Sequence, residues 1–145
     1  MSILQKAANV EVEPEFSLFT VAAMPDVDSA SIDHPDGRVT AADDALLVRM
    51  RHTSQTAHIR FESWDGPPPS PAGWEELWSG RLTVKSGVVA AADWAEAPDG
   101  PEFDLGRAGA TWSARLTTRV LLNDREPDFD ARIGLAELYR VQFWL

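Results

Sequence analysis

Cysteine is absent from this chain of 145 residues, so no disulfide can form and no thiolate can serve as a nucleophile or a metal ligand. A chain without cysteine suits a reducing cytoplasm, where disulfides rarely persist. No apolar run approaches the roughly 18 residues of a membrane span, and the N-terminal residues lack the pattern of a signal peptide. We therefore expect a soluble, cytoplasmic protein that has no membrane partner.

Basic residues are scarce, with 13 Lys and Arg against 23 Asp and Glu, for a formal charge of −10. The imbalance is concentrated in residues 62–104, which hold nine acids and only two bases. Such a charge opposes binding to nucleic acid, whose phosphates require Lys and Arg. It favours a basic protein partner, which the field would steer toward the chain. The plain alternative is that the acidity serves only solubility.

Catalytic signatures are missing as well. The chain contains no G-x-S-x-G elbow, no G-x-x-x-x-G-K-[ST] loop and no H-E-x-x-H pair. Of its three histidines, His34 and His52 fall in turn-like segments, and His58 falls on the outward face of a predicted strand. The sequence therefore predicts no catalytic residues, no enzymatic activity and no cofactor.

Two acidic segments invite comparison with calcium loops. In residues 26–37, Asp26 and Asp28 have the spacing of the first two ligands, but Gly37 stands where the bidentate glutamate belongs. In residues 124–130, acids alternate along a segment that also contains proline. We predict no metal site, and calcium at 26–37 or 124–130 stays an open question.

Alternation of apolar and polar residues is the recurring pattern along the chain. Ala57, Ile59 and Phe61 point to one side of a predicted strand, whereas His58 and Arg60 point to the other. Repeated short strands of this kind indicate an all-β fold, an antiparallel β-sandwich of about seven to nine strands. The predicted strands are Phe16–Ala22, Ala45–Arg51, Thr56–Glu62, Gly80–Ser86, Val88–Trp94, Thr111–Val120 and Tyr139–Leu145.

Helical signals are limited to one or two short segments, Pro71–Leu77 and Ala131–Leu138. Ser86-Gly87 has the composition of a tight hairpin turn. The length suits a single domain over residues 1–145, in which residues 1–13 can be flexible and residues 63–73 form a long proline-rich loop.

The proline-rich stretch ESWDGPPPSPAGWEELWSG, residues 62–80, contains four prolines and three tryptophans. Proline cannot donate a hydrogen bond to a sheet, so the preceding strand must end here, and loops of this length tend to be functional. Trp64 and Trp74 suit either packing over the end of the sandwich or an aromatic anchor at an interface. Neighbouring Asp65, Glu75 and Glu76 supply the charges that accompany such an anchor.

Phe19-Thr20-Val21 precedes an acidic loop, Ala41–Ala45 leads into an aliphatic strand, and Trp74–Gly80 precedes a further strand and Gly87–Val89. This order of features resembles the ComJ-like family of bacterial nuclease inhibitors. The resemblance spans roughly residues 14–145. It implies an inhibitor that binds a nuclease, and it transfers no inhibitory residue to a position of this chain.

Charge and resemblance together predict a non-catalytic, acidic protein-binding domain, an inhibitor or immunity-type protein that binds a basic nuclease. One alternative is a small-ligand or carbohydrate-binding sandwich that uses exposed tryptophans as a stacking platform. A third is an oligomeric component that pairs through edge strands. The predicted partner-binding residues are Trp64, Asp65, Trp74, Glu75, Glu76, Asp93, Glu96, Asp99 and Glu102.

Overall fold

Ten β-strands account for most of the described chain. A computed structural model of the protein describes residues 2–14, 17–23, 37–51, 56–93, 101–122 and 135–145. No helix occurs in these ranges, which confirms the predicted all-β class. The strands are β1 (Leu4–Val12), β2 (Leu18–Ala23), β3 (Val39–Ala41), β4 (Ala45–Arg49), β5 (Ala57–Trp64), β6 (Glu75–Val84), β7 (Val88–Asp93), β8 (Glu102–Asp104), β9 (Ala110–Leu122) and β10 (Leu135–Trp144).

The strands form two five-stranded sheets. Sheet one has the order β1-β5-β10-β9-β6 and sheet two has the order β3-β4-β2-β7-β8. Neighbouring strands are antiparallel except for β5 and β10, which run parallel at the centre of sheet one. The predicted β-sandwich is therefore confirmed. It has ten described strands, one more than the predicted maximum of nine, and it contains one parallel pair in a mostly antiparallel arrangement.

The core lies between the sheets and contains the apolar residues that alternation placed on the inward faces. Ile59 and Phe61 on β5 are fully buried, as are Val141 and Phe143 on β10. Aromatic rings join the two sheets: Phe19 meets Tyr139 edge to face at 4.9 Å between ring centroids, in the geometry that aromatic pairs prefer. The period-two pattern thus predicted the burial of these faces correctly.

Sheet two is buried on both faces at its centre. Phe19 and Val21 belong to the main core, whereas Leu18, Ala22 and Leu47 form a second apolar cluster on the opposite face. The unbroken apolar sequences of β2 and β7 account for this arrangement, because a strand buried on both faces needs apolar residues at every position.

Both predicted helices are wrong within the described residues. Pro71–Trp74 forms a turn closed by the Trp74 amide on the Pro71 carbonyl at 3.3 Å, and β6 begins at Glu75. The second segment becomes β10 from Leu135 onward, and its residues 131–134 lie outside the described part of the chain. In both places pairing with β9 supplies more backbone hydrogen bonds than a single isolated helical turn would, and such turns are marginal on their own.

Ser86-Gly87 is not a hairpin turn between paired strands. It links β6, at the edge of sheet one, to β7, inside sheet two. The turn is held by the segment that follows β8, because the Leu105 amide donates to the Gly87 carbonyl at 2.7 Å and the Gly109 amide donates to the Lys85 carbonyl at 2.8 Å. The chain therefore crosses between the layers at this point.

Three strands were not predicted: β1, β3 and β8. All three are edge strands, and β3 and β8 have three residues each. β1 pairs with β5 from Val12 to Leu4, although most of its side chains are exposed. Edge strands bury little side-chain surface, so their sequences carry a weak alternation signal.

One end of the sandwich is defined by strand pairing, and we call it the connection end. There β9 ends and β10 begins, with Leu122 opposite Leu135. In sheet two the end of β7 lies beside the start of β2, with Asp93 opposite Phe19. The segments 94–100 and 123–134 therefore both leave the sheets at the connection end.

Gly87 has two separate reasons to lack a side chain, and this generates a testable prediction. Its φ is +78°, and an added Cβ would lie 2.9 Å from backbone atoms of Arg107. Gly106 has a similar φ of +84°, but nothing lies within 4 Å of its Cβ position. We expect Gly87→Ala to lose about 1–3 kcal/mol more than Gly106→Ala in urea unfolding, because only Gly87 adds overpacking to backbone strain. Equal losses in the two variants would contradict the proposed steric contact.

Candidate functional site

The proline-rich segment packs along the outer face of sheet one, and we call residues 65–74 the strap. At its start, the Asp65 carboxylate accepts a hydrogen bond from the Ile3 amide at 2.7 Å, which ties the strap to the chain just before β1. In its middle, the Arg115 guanidinium on β9 donates to the carbonyls of Pro68 and Pro69 at 3.1 and 2.9 Å. The strap is therefore held against the sheet by polar contacts.

Below the strap lies a buried carboxylate, Glu62 on β5, which is only 1% exposed. It accepts hydrogen bonds from four side chains that surround it on sheet one. The donors are Arg140 Nη1 at 2.6 Å, Arg60 Nε at 2.8 Å, Gln142 Nε2 at 2.9 Å and Trp64 Nε1 at 3.0 Å. A buried charge is tolerated when it is paired and fully hydrogen-bonded, and Glu62 meets both conditions.

The Glu62 cluster is joined to the strap through one amide. Gln142 donates to Glu62 and accepts from Arg115, whose Nη2 lies 2.6 Å from its Oε1. Arg115 then continues to the strap carbonyls. A continuous chain of hydrogen bonds thus runs from β5 through β10 and β9 to the proline-rich segment.

The pKa of Glu62 reflects two opposing effects. Burial acts to raise the pKa, but the hydrogen bond from Arg60, those from Gln142 and Trp64, and the charge of Arg140 together outweigh it. The net pKa lies below its ordinary value of 4.5, so the carboxylate is ionised at neutral pH.

The tryptophans of the proline-rich stretch take part in this packing. The Trp64 N–H is bound to Glu62, and the Arg140 guanidinium lies over the Trp74 ring at 4.7 Å. Both rings are half-buried. The sequence left two roles open for these tryptophans, packing within the protein and an aromatic anchor at an interface, and these contacts are packing contacts.

The structure separates the predicted partner-binding residues into two groups. Trp64 and Asp65 lie where β5 passes into the strap, and Trp74, Glu75 and Glu76 lie where the strap passes into β6. The remaining residues belong to sheet two or to its connections. Asp93 at the end of β7 is 6% exposed and offers a partner little surface, Glu102 on β8 is exposed, and Glu96 and Asp99 lie outside the described residues.

Negative charge is distributed very unevenly between the strands and the segments that connect them. The described residues hold twelve acids and eleven Lys and Arg, a net charge of −1. The other residues hold eleven acids and two arginines, a net charge of −9, and ten of those acids belong to segments 24–36, 94–100 and 123–134. Most of the net negative charge of this protein therefore lies in these segments between the described strands.

An arginine-lined cleft at the connection end was not predicted. Arg38, Arg51 and Arg119 converge with Glu75 around a volume of about 300 Å³. The three arginines come from distant parts of the sequence, and only the sheet order brings them together. No local motif could have signalled this cleft.

Within the ranges that the structure describes, no three His, Asp or Glu side chains are grouped as metal ligands. The two candidate calcium segments, 26–37 and 124–130, lie outside those ranges except for Gly37. The same ranges contain no helix of the length and hydrophobicity needed to span a membrane.

Glu62→Gln tests the buried cluster. The variant keeps the shape of the side chain but leaves Arg140 buried without its counter-charge, so we expect a loss on the order of 3–5 kcal/mol in the free energy of unfolding at pH 7. Because folding lowers the pKa of Glu62, its contribution is complete above about pH 4.5 and is lost as the pH falls through the folded-state pKa. The stability of Glu62→Gln should therefore fall less steeply below pH 4.5 than that of the wild type.

The control for that experiment is Glu102→Gln, which makes the same substitution at an exposed position on β8. Its free energy of unfolding should equal that of the wild type both at pH 7 and below pH 4.5. An unchanged stability of Glu62→Gln at pH 7 would show that the cluster does not hold the face of sheet one together.

Comparisons with known proteins identify a solved structure that has the same fold. No family model matches the chain, and no curated protein matches its sequence. Among solved structures, the chain is similar to the crystal structure of ComJ, inhibitor of the DNA degrading activity of NucA, from Bacillus subtilis. The two share 15% sequence identity and a TM-score of 0.60, and the match covers 99% of this chain and 98% of ComJ. The resemblance inferred from the sequence is thereby confirmed at the level of the fold, which this chain shares with ComJ over almost its whole length.

Proposed function

We propose that this protein is a non-catalytic inhibitor that binds a nuclease and blocks its access to DNA. The observation that carries the proposal is the fold shared with ComJ, because ComJ inhibits the DNA-degrading activity of NucA and the match covers 99% of this chain. The lack of cysteine favours a reducing cytoplasm as the place of action.

Electrostatics supports a basic partner. Nucleases that grip DNA present cationic clefts, since they must neutralise phosphates. The segments 94–100 and 123–134, which leave the sheets at the connection end, carry six acids and two arginines. Carboxylates in such segments would occupy the positions of phosphates in a nuclease cleft, and their field would accelerate association.

Within the predicted partner-binding set, the connection end is the part of the surface that we favour. Glu75 and Glu76 are exposed there at the start of β6, and Trp74 precedes them. Glu75 lies opposite Thr118 on β9, and the acidic segment 123–134 begins five residues after Thr118. Trp64 and Asp65, at the other end of the strap, would act indirectly by holding the strap in place.

The carbohydrate-binding alternative finds less support. A stacking platform needs aromatic faces that are open to a sugar ring, whereas Trp74 already has Arg140 over its ring and Trp64 is tied to Glu62. We therefore retain a protein partner as the proposed function.

The proposal is tested by plasmid digestion with purified nucleases, including NucA and any nuclease encoded beside this gene. Rising amounts of the protein should suppress digestion to completion at a stoichiometric ratio with at least one basic nuclease. Added salt should weaken the inhibition, because exposed charges are screened. Undiminished digestion by the whole set at a large excess of folded protein would overturn the proposal.

The surface is tested with a pair of charge-matched variants. Glu75→Gln/Glu76→Gln removes two charges at the connection end, and Asp43→Asn/Asp44→Asn removes two at the turn between β3 and β4, at the opposite end of sheet two. We expect the first variant to bind the nuclease about tenfold or more weakly, since truncation of paired interface charges typically costs about 2–5 kcal/mol, and rim charges less. Asp43→Asn/Asp44→Asn should inhibit like the wild type, and equal losses in the two variants would remove the connection end from the interface.

A further inference from the structure

The cleft at the connection end has a charge opposite to that of the whole protein. Three arginines line it, Arg38 before β3, Arg51 after β4 and Arg119 on β9, and Glu75 supplies one negative charge. The lining therefore carries a formal charge of +2 in a chain with a net charge of −10. The described lining of the cleft is therefore cationic, whereas the chain as a whole is acidic.

Two of these arginines are held in place by a buried polar pair. Tyr139 donates its hydroxyl hydrogen to Glu137 Oε1 at 2.9 Å, and the Arg51 amide donates to the same oxygen at 2.8 Å. Glu137 and Tyr139 are fully buried. Arg38 donates from Nε to the Arg49 carbonyl at 2.9 Å and also lies beside the Tyr139 hydroxyl. The backbone at Arg51 and the guanidinium of Arg38 are thus fixed before any ligand arrives, which lowers the entropic cost of binding.

The carboxylate that faces the cleft does not neutralise it strongly. Glu75 Oε2 lies 3.8 Å from Arg51 Nη2, and the two side chains are 60% and 55% exposed. Exposed pairs of this kind contribute little, because solvent screens them. An oxyanion that entered the cleft would compete readily with Glu75 for Arg51.

We propose that this cleft binds a phosphate group, either free or as a small phosphate monoester. Planar guanidinium groups bind phosphate oxygens in pairs, and several arginines from different segments form the usual arrangement for such recognition. The volume of about 300 Å³ lies at the lower end of small-ligand sites, which leaves room for a phosphate and a short organic group.

The rim of the cleft is open on the side of the strap. Gly73 lines the cleft with a φ of +80°, and no atom of the described residues lies within 4 Å of the position that a Cβ would take. A ligand can therefore approach the backbone there without meeting a side chain. This site goes beyond the proposed inhibitor function and is tested in the absence of any nuclease.

Isothermal titration of the full chain with inorganic phosphate and with glycerol 3-phosphate tests the proposal, with potassium chloride at matched ionic strength as the blank. Both phosphates should bind saturably at one site and raise the melting temperature, whereas chloride should do neither. Binding of glycerol 3-phosphate alone would assign the site to esters, and binding of both would assign it to the phosphate group itself. Heats no larger than those of chloride would overturn the proposal.

Substitutions locate the site. Arg51→Gln and Arg119→Gln should each weaken phosphate binding about tenfold, the effect of losing one charge-assisted contact. Arg81→Gln removes an exposed arginine from β6 and serves as the matched control, which should bind like the wild type. Melting without phosphate verifies that each variant is folded. Unchanged binding in both cleft variants, or an equal loss in Arg81→Gln, would show that phosphate binds elsewhere or only through general charge.

Discussion

The ionised carboxylate of Glu62 is the group on which the outer face of sheet one depends. It is removed from water, and four donors from β5 and β10 replace its hydration. Arg140, which neutralises it, in turn lies over the Trp74 ring, while Gln142 passes the network on to Arg115. A proline-rich segment that cannot pair as a strand is thereby fastened to a sheet through side chains and its own carbonyls. The strap and the carboxylate are thus connected twice, through Arg115 with Gln142 and through Trp74 with Arg140.

The same cluster lies on the parallel pair in sheet one. Gln142 is opposite Glu62 across the β5–β10 ladder, and Arg140 is opposite Arg60. Strands that are 78 residues apart in sequence are thus joined by an ion pair as well as by backbone hydrogen bonds. Parallel pairs require a long crossover, and here the crossover runs through strap, β6, sheet two and β9 before it returns. Most contacts in this fold are consequently long-range, which is typical of β-sandwiches that fold slowly.

Sequence reasoning succeeded where a residue's own neighbours decide its environment and failed where a distant segment does. Ile59 and Phe61 were placed inward by alternation alone, and they are buried. Glu62 has the outward phase of β5, and its burial among Arg60, Trp64, Arg140 and Gln142 could not be foreseen from a period of two. Glu75 was expected in a helical turn because of Pro71 and two adjacent acids, but pairing with β9 makes it the first residue of a strand. Arg38, Arg51 and Arg119 line one cleft because the order of strands in the two sheets places the ends of β4, β2, β10 and β9 together. No local sequence pattern predicts that strand order.

The described residues are nearly neutral, whereas the segments between the strands are strongly acidic. This difference has an evolutionary consequence. The described sheets are stabilised by buried apolar faces and by the paired charges around Glu62, whereas most of the net negative charge lies outside the described residues. Selection can therefore change the sequences of the connecting segments without disturbing the framework that supports them. Two chains that are 15% identical share this fold over 99% and 98% of their lengths, so the framework accommodates very different sequences.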